Sequence, residues 1–401
     1  MNTQAESQMD ASSVFCPNLE CPARGKYGQG NIVIHSRKRP RYRCKICQQT
    51  FSARAGTMFE GRRKPEELIV IVVTLLAYGC PPQAIVHAFH LDERTVAGWQ
   101  ERAGAHCQKV HRDRVVQAKL DLQHVQADEI RGKGCQMIPW MAMAMMVSTR
   151  LWLGGVVSLS RDRQLADQLL RMVKACCLPW RALLVLTDGW SAYPNSIRRA
   201  FREKIPRGGG RGRCALQAWP DLLIGTVIKK TAKKRVVEVI RRMAQGTLEQ
   251  ANQVLVQTQG GKELNTAFIE RFNGTMRERL ACLTRRCRHA SRRVSRLEAG
   301  MWLVGCTYNW CWPHHELSRR LAKERGSKGE IVITPAMASG LTDHIWSMRE
   351  VLTYRIAPPP WVAPKRRGRP KREGQLASSP SPAPSRPLLR LQKGALCAST
   401  N

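Results

Sequence analysis

An α/β core behind two small modules is the architecture that this sequence predicts. Apolar, strand-like runs alternate with an amphipathic helix across residues 118–230. Two cysteine pairs sit close together within 14–60, and short helical stretches fill 61–117. The chain has 401 residues and 43% hydrophobic composition, which excludes wholesale disorder and suits two or three domains. Its formal net charge of +36 points to a polyanionic partner, most naturally nucleic acid. A basic packing protein or a membrane-surface binder needs only basicity, so motifs must decide.

The 15 cysteines are an odd number, and the first eleven residues are polar, without a secretory apolar segment. Reduced thiols in a cytosol are expected, and clustered cysteines then suggest metal rather than disulfides. The apolar run 68–78 is too short for a bilayer, and Ser148, Thr149 and Arg150 interrupt the run 139–159. No membrane segment is expected.

Residues 1–13 read as a disordered leader. Next come Cys16 and Cys21, four residues apart, and Cys44 and Cys47, two apart. Each pair can sit on a turn that presents two thiolates to one side of a metal, and two such turns complete a tetrahedral site. Residues 31–35 and 41–43 fit two strands, so 14–60 is expected to be a zinc ribbon with a closed, structural Zn²⁺. His35 is a conceivable substitute ligand, and chance clustering is the plainer account. The segment is rich in Arg37, Lys38, Arg39, Arg41, Arg43 and Lys45, a composition that grips phosphates.

Within 61–117, residues 65–78 form a helix that Gly79 ends, and 82–89 a shorter one. His90 and Leu91 turn the chain, and Asp92 caps a helix over 93–103 with Glu93 in its first turn. Short helix, tight turn and capped second helix is the helix-turn-helix layout. It would offer Arg94, Thr95, Trp99 and Gln100 to DNA. A plain helical hairpin would use Val96 and Trp99 as core.

In 118–320, a strand over 120–127 ends at Asp128, and strands 140–147 and 151–159 form a hairpin. Asp162 caps a helix to Ala175 with Leu165, Leu169, Leu170 and Val173 at helical spacing. The strand 182–186 leads into Thr187 and Asp188. Strand, hairpin, helix, strand opens a ribonuclease-H-like fold, which would set Asp128 beside Asp188. A third acid, Glu270, lies on a helix over 266–279, with Asn273 on the same face and Arg271 and Arg277 nearby. Three converging carboxylates would hold two Mg²⁺ or Mn²⁺ ions, about 3.5–4 Å apart in such centres. Glu129 is an alternative to Asp128, Asp188-Gly189 can be an ordinary turn, and Glu270 can simply pair with Arg271 or Arg277. Residues 222–229 suggest a fifth strand, and 231–320 reads as mostly helical and basic. Met141, Met143, Met145 and Met146 read as core, as do Trp310 and Trp312. Cys176, Cys177, Cys282, Cys287, Cys306 and Cys311 show no metal spacing.

The stretch 265–275, with Glu270, Arg271 and Asn273, running on through Arg277, Leu280, Thr284 to Arg286, Arg288 and His289, resembles the third-acid helix of bacterial insertion-sequence transposases of the DDE class. Asp128-Glu129 after a strand, and Leu186-Thr187-Asp188-Gly189 with Tyr193, are similar to that family's first two acid motifs. Tyr308, Asn309, Pro313, His314 and Leu317 resemble its closing helix and turn, and Thr334 through Ala338 with Gly340 and Leu341 its terminal segment (321–357). The paired-cysteine module and helix-turn-helix ahead of the core fit the same group. The resemblance covers roughly 14–350. It implies a ribonuclease-H-like catalytic core with Asp128, Asp188 and Glu270 as metal ligands. It also implies strand cleavage and joining at transposon ends, duplex DNA partners, a homo-oligomer on DNA, and a bacterial cytoplasmic, nucleoid-associated setting. A non-catalytic DNA-binding regulator and a nuclease on the same fold are the alternatives. The Gly/Arg stretch between Arg207 and Arg213 departs from the pattern. The tail 358–401 is expected to be disordered, and its Arg367 and Arg369 lie in a segment similar to an AT-hook, for the minor groove.

Overall fold

A computed structural model describes residues 9–134, 137–205, 213–233, 235–284, 293–326 and 331–363. Near the start, β1 (Ile32–Ser36), β2 (Arg41–Cys44) and β3 (Thr50–Ser52) form an antiparallel sheet in that order. Val14, Ile32, Tyr42, Phe51 and three of the cysteines bury against one another. β3 was not expected, because three residues are too few for an alternating pattern to register. The Tyr42 hydroxyl donates to the Asp10 carbonyl at 3.2 Å, so residues from Asp10 onward pack on this sheet rather than trailing as a leader.

Helices α1 (Glu66–Ala77), α2 (Pro82–Phe89) and α3 (Glu93–His111) follow. Gly79, at φ +83°, ends the first helical segment, and His90 turns at φ 49°. The Asp92 carboxylate accepts the N–H groups of Arg94 (2.8 Å) and Thr95 (3.3 Å), as a cap should. α3 does not stop near Ala103 but runs on to His111 and a π turn, Arg112–Val116. Ala103, Cys107 and Val110 are buried along that extension, and tertiary packing supplies the helical register.

The main sheet contains β4 (His124–Arg131), β5 (Trp140–Met146), β6 (Trp152–Ser158), then, after α4 (Arg163–Cys176), β7 (Leu183–Asp188). After α5 (Ala192–Ala200) come a small hairpin, β8 (Arg202–Ile205) with β9 (Ala215–Ala218), and the long strands β10 (Leu222–Ala232) and β11 (Arg235–Gln245). The six-stranded order is β11-β10-β7-β4-β5-β6, with β4–β7 and β7–β10 parallel and the other pairs antiparallel. The fold is thus mixed α/β. Two expectations change. β4 runs through Asp128 to Arg131 instead of ending at it. Residues 235–245, expected helical, are a strand, because Val236, Val237, Val239 and Ile240 suit the ladder with β10.

The remaining helices are α6 (Leu248–Gln257), α7 (Ala267–Arg279), α8 (Val294–Trp310), α9 (His315–Glu324), α10 (Pro335–Ala338) and α11 (Met348–Thr353). His314 accepts the Leu317 N–H at the start of α9. α3 lies against α8, closest where Gly104 meets Ala299. One hydrophobic core runs from Met58 through the sheet to Leu352, so the expected boundary between 117 and 118 is not a gap in packing. Residues 352–360 return to the first module: the Met58 N–H donates to the Leu352 carbonyl (3.0 Å), Arg355 to that of Ala53 (2.7 Å) and Arg24 to that of Pro360 (2.6 Å). Residues 358–360 are therefore part of the fold. Arg367, Arg369 and the stretch 207–212 lie outside the described residues. No helix among the described residues is long and apolar enough to cross a membrane.

A Cβ on Gly104 would come under 3.0 Å from Ala299 backbone atoms, whereas one on exposed Gly98, on the same helix, meets nothing within 4 Å. Gly104→Ala should therefore cost about 1–3 kcal/mol through overpacking. Gly98→Ala should gain about 0.5–1 kcal/mol, as alanine does over glycine inside a helix. Thermal or urea unfolding of the two variants checks both signs.

Candidate functional site

β4 and β7 pair in parallel with Ala127 opposite Thr187, so Asp128 and Asp188 each follow a paired position on adjacent strands. Carboxylate oxygens of Asp128, Glu129 and Asp188 all lie within 4.8 Å of one another. Successive strand residues leave opposite faces, and the partners of the first two acids differ accordingly. Asp128 accepts the Asn273 amide from α7 at 2.8 Å and the Glu129 backbone N–H at 2.9 Å. Glu129 accepts the Tyr193 hydroxyl from α5 at 2.9 Å and Nε of Arg161 at 2.7 Å. Arg161 also comes within 3.6 Å of Asp188, whose other oxygen takes the Trp190 N–H at 3.0 Å.

α7 is aligned on β4 by two side chains of one strand face. Buried Gln126 donates to the Asn265 carbonyl (2.8 Å) and accepts the N–H groups of Phe268 (3.0 Å) and Ile269 (3.1 Å). Asp128, two residues on, takes Asn273 further along the helix. Glu270 lies between those anchor points but not in the close cluster; it pairs with Lys229 of β10 at 2.5 Å and accepts the Thr266 hydroxyl. A cleft of about 520 Å³ separates Asp188 from Glu270, lined also by Arg161, Trp190, Val227 and Lys229.

Burial raises the carboxyl of Asp128 to about 7, with the charges of Asp188, Glu129 and Glu270 adding to it. Burial also raises Glu129 and Asp188 above the usual carboxylate range, although Tyr193 and Arg161 pull Glu129 down and the Trp190 N–H and Arg161 pull Asp188 down. Like charges crowded in a low-dielectric site disfavour full ionisation. A bound cation would relieve that repulsion, and buried Asn273 Oδ1, which has no hydrogen-bond partner among the described residues, leaves one more oxygen acceptor beside Asp128.

The four cysteines form the second cluster that can hold a metal. All four sulfurs lie within 4.8 Å of one another, with Cys16–Cys47 at 3.6 Å and Cys21–Cys44 at 3.9 Å. Burial pushes the Cys16 and Cys21 thiols up; at Cys47 it is outweighed by the Gln49 N–H and the Asn18 side chain, which draw that thiol down to about 7. His35 lies on β1 and is not a member of the cluster.

Other expected contacts divide. Arg94 and Arg271 are exposed, Thr95, Gln100 and Arg277 half-buried. Trp99 is 4% exposed and Asn273 1%, so neither side chain faces outward: the first is core under the helix pair, the second a holder of Asp128. Sequence reasoning missed Gln126, Arg161 and Lys229. A glutamine two residues before an acid, inside an apolar strand, was a legible sign of a shared face; the other two reach the acids through the fold. No family model matches this chain, and no curated protein is significantly similar to it.

A carboxyl raised in the folded state favours folding while protonated. For Asp128 that stability is complete below its ordinary value of 3.8 and is lost as pH rises through about 7. In metal-free protein, Asp128→Asn should therefore gain Tm relative to the parent as pH goes from 5 to 8. Paired melting curves across that range check it, and a difference that stays flat would show Asp128 to be less crowded than its neighbours suggest.

Proposed function

We propose that this chain is a DNA transposase of the DDE class, with a ribonuclease-H-like catalytic core. The observation that carries the proposal is the juxtaposition of Asp128 and Asp188 on parallel neighbouring strands, with Glu270 across an open cleft. The adjacency of β4 and β7 is what such a core requires. A net charge of +36 suits long contacts with duplex DNA. The exposed or half-exposed residues Arg94, Thr95 and Gln100 on the capped helix, and Arg271 and Arg277 on α7, are the nearest candidates for DNA contact.

Asp128 and Asp188, with Glu270 from across the cleft, would hold Mg²⁺ or Mn²⁺, for which carboxylate oxygens are fitting donors. Divalent ions so bound supply activation of a water or 3′-hydroxyl and stabilisation of the leaving oxygen. The chain's own groups arrange this. Asn273 and the Glu129 N–H fix the two Asp128 oxygens, and the Trp190 N–H holds Asp188. Arg161 neutralises Glu129, leaving Asp128 as the first ligand and Glu129 as a strut against α5. Lys229 balances Glu270 while the cleft is open.

In the first module, Cys16, Cys21, Cys44 and Cys47 would hold one structural Zn²⁺ in a zinc ribbon. A tetrahedron with Zn–S bonds of about 2.3 Å has edges near 3.8 Å, and the two short sulfur separations of 3.6 and 3.9 Å match it. Element ends and target would both be duplex DNA, bound by a homo-oligomer in a bacterial cytoplasm.

Labelled DNA carrying the ends of the candidate element, incubated with protein and Mg²⁺, tests the function directly. End-specific 3′-hydroxyls and joined products are expected. Asp128→Ala, Asp188→Ala and Glu270→Ala should each lower both by roughly 10³-fold or more, and combine without adding, as residues acting as a unit do. End binding should hold or rise, since each change removes a negative charge. Glu129→Gln should keep most activity. Cutting without joining would indicate a nuclease, and end binding without either a regulator.

Elemental analysis of the full chain should find one zinc per molecule, and Cys44→Ser should lose it. A Cys44→Ser protein that retains stoichiometric zinc would remove the ribbon proposal.

A further inference from the structure

β10 and β11 leave the main sheet together as a two-stranded arm. The last pair between β10 and β7 is Val227 with Asp188; beyond it β10 pairs only with β11, through Ala232 opposite Arg235. All described side chains from Lys229 to Glu238 are exposed. At a rise of about 3.3 Å per residue, the four strand residues from Lys229 to Ala232 give roughly 13 Å of free ribbon.

The arm's charge is one-sided. Residues 229–240 carry five Lys or Arg and a single acid, Glu238, and Arg241 and Arg242 follow at the arm's root, opposite Val227 and Thr226 of the main sheet. Lys230 pairs with Glu238 (2.9 Å), Arg241 with Glu263 (2.7 Å) and Lys229 with Glu270. Among the described residues, no carboxylate pairs with Lys233, Arg235 or Arg242. Charged side chains also guard open edge strands against other chains, but the charge here is nearly all of one sign. The exposed basic groups instead make a phosphate-binding ribbon, and a two-stranded ribbon is narrow enough for a major groove about 12 Å wide.

We propose that the β10–β11 arm is a duplex-DNA contact, rooted at the acidic cleft through Lys229, that holds DNA across the cleft mouth by its phosphates. This rests on the DNA function proposed above and names a surface for it. Long basic side chains bind phosphate without reading bases, so the contact is tolerant of sequence.

The test is binding of unrelated duplexes by the full chain across a salt series, followed by fluorescence anisotropy. Lys233→Ala/Arg235→Ala/Arg242→Ala should flatten the slope of log affinity against log salt by about 2.7, or 0.9 for each phosphate contact removed. The loss should be alike on every sequence, with an unchanged melting curve. A steep slope in the parent that the triple variant leaves intact would overturn the arm and spare the DNA function. A parent with no affinity for duplex DNA would overturn both. Val236 and Val237, 54% and 64% exposed, supply the last arm. If Val236→Glu/Val237→Glu changes the molecular mass in solution while the triple variant binds DNA normally, the arm contacts a second copy instead.

Discussion

Parallel pairing of β4 with β7 places the acids, and the surrounding elements are arranged to make that pairing work. A parallel neighbour cannot be reached by a tight turn, so the chain must travel through β5, β6 and α4 before β7 can lie beside β4. The reward is that two strand positions far apart in sequence arrive side by side, each carrying an aspartate. Both strands are largely buried, and the carboxylates meet at the edge of that packing, Glu129 buried, Asp128 and Asp188 half-buried, and Asp188 lining the cleft. Burial raises all three carboxyls of the cluster, and neighbouring carboxylates add to it: Asp188 and Glu129 at Asp128, Asp188 at Glu129, and Glu270 at Asp188.

Placing the third acid is a separate problem, met by polar contacts. Gln126 takes up backbone groups at the start of α7, where donors would otherwise lack partners. Asp128 holds Asn273 further along. With two anchors on one strand face, the helix can neither slide nor rotate freely, and Glu270 is held over the cleft. Lys229 closes the arrangement from the far side and ties the acidic cleft to the basic arm.

The packing of helices explains why the modules do not separate. α3 extends past its capped start because Gly104 allows α8 to approach, and the same contact joins the helical segment to the sheet. Residues 355–360 then return across the cysteine module through backbone carbonyls of Ala53 and Pro360. A small core of a few apolar side chains and four thiols is thereby attached to a larger one.

Local signals were legible wherever they rest on near neighbours. The cysteine spacing, the Asp92 and Asp162 caps, the α2 bounds, the methionine-rich β5 and the pair β5–β6 follow from patterns a few residues long. Asp128 and Asp188 could be singled out because each follows an apolar strand-like run, and Glu270 because its helical stretch resembles a family motif. The burial of Trp99, the strand at 235–245, the extension of α3 and the attachment of Glu129 to Tyr193 and Arg161 were decided only by tertiary structure. Each depends on a partner distant in sequence, and a helical or strand propensity worth tenths of a kcal/mol per residue yields to packing that buries whole side chains. Sequence by itself determined which residues carry charge, thiol or carboxylate; the parallel ladder and the crossing of α3 with α8 decided which of them meet.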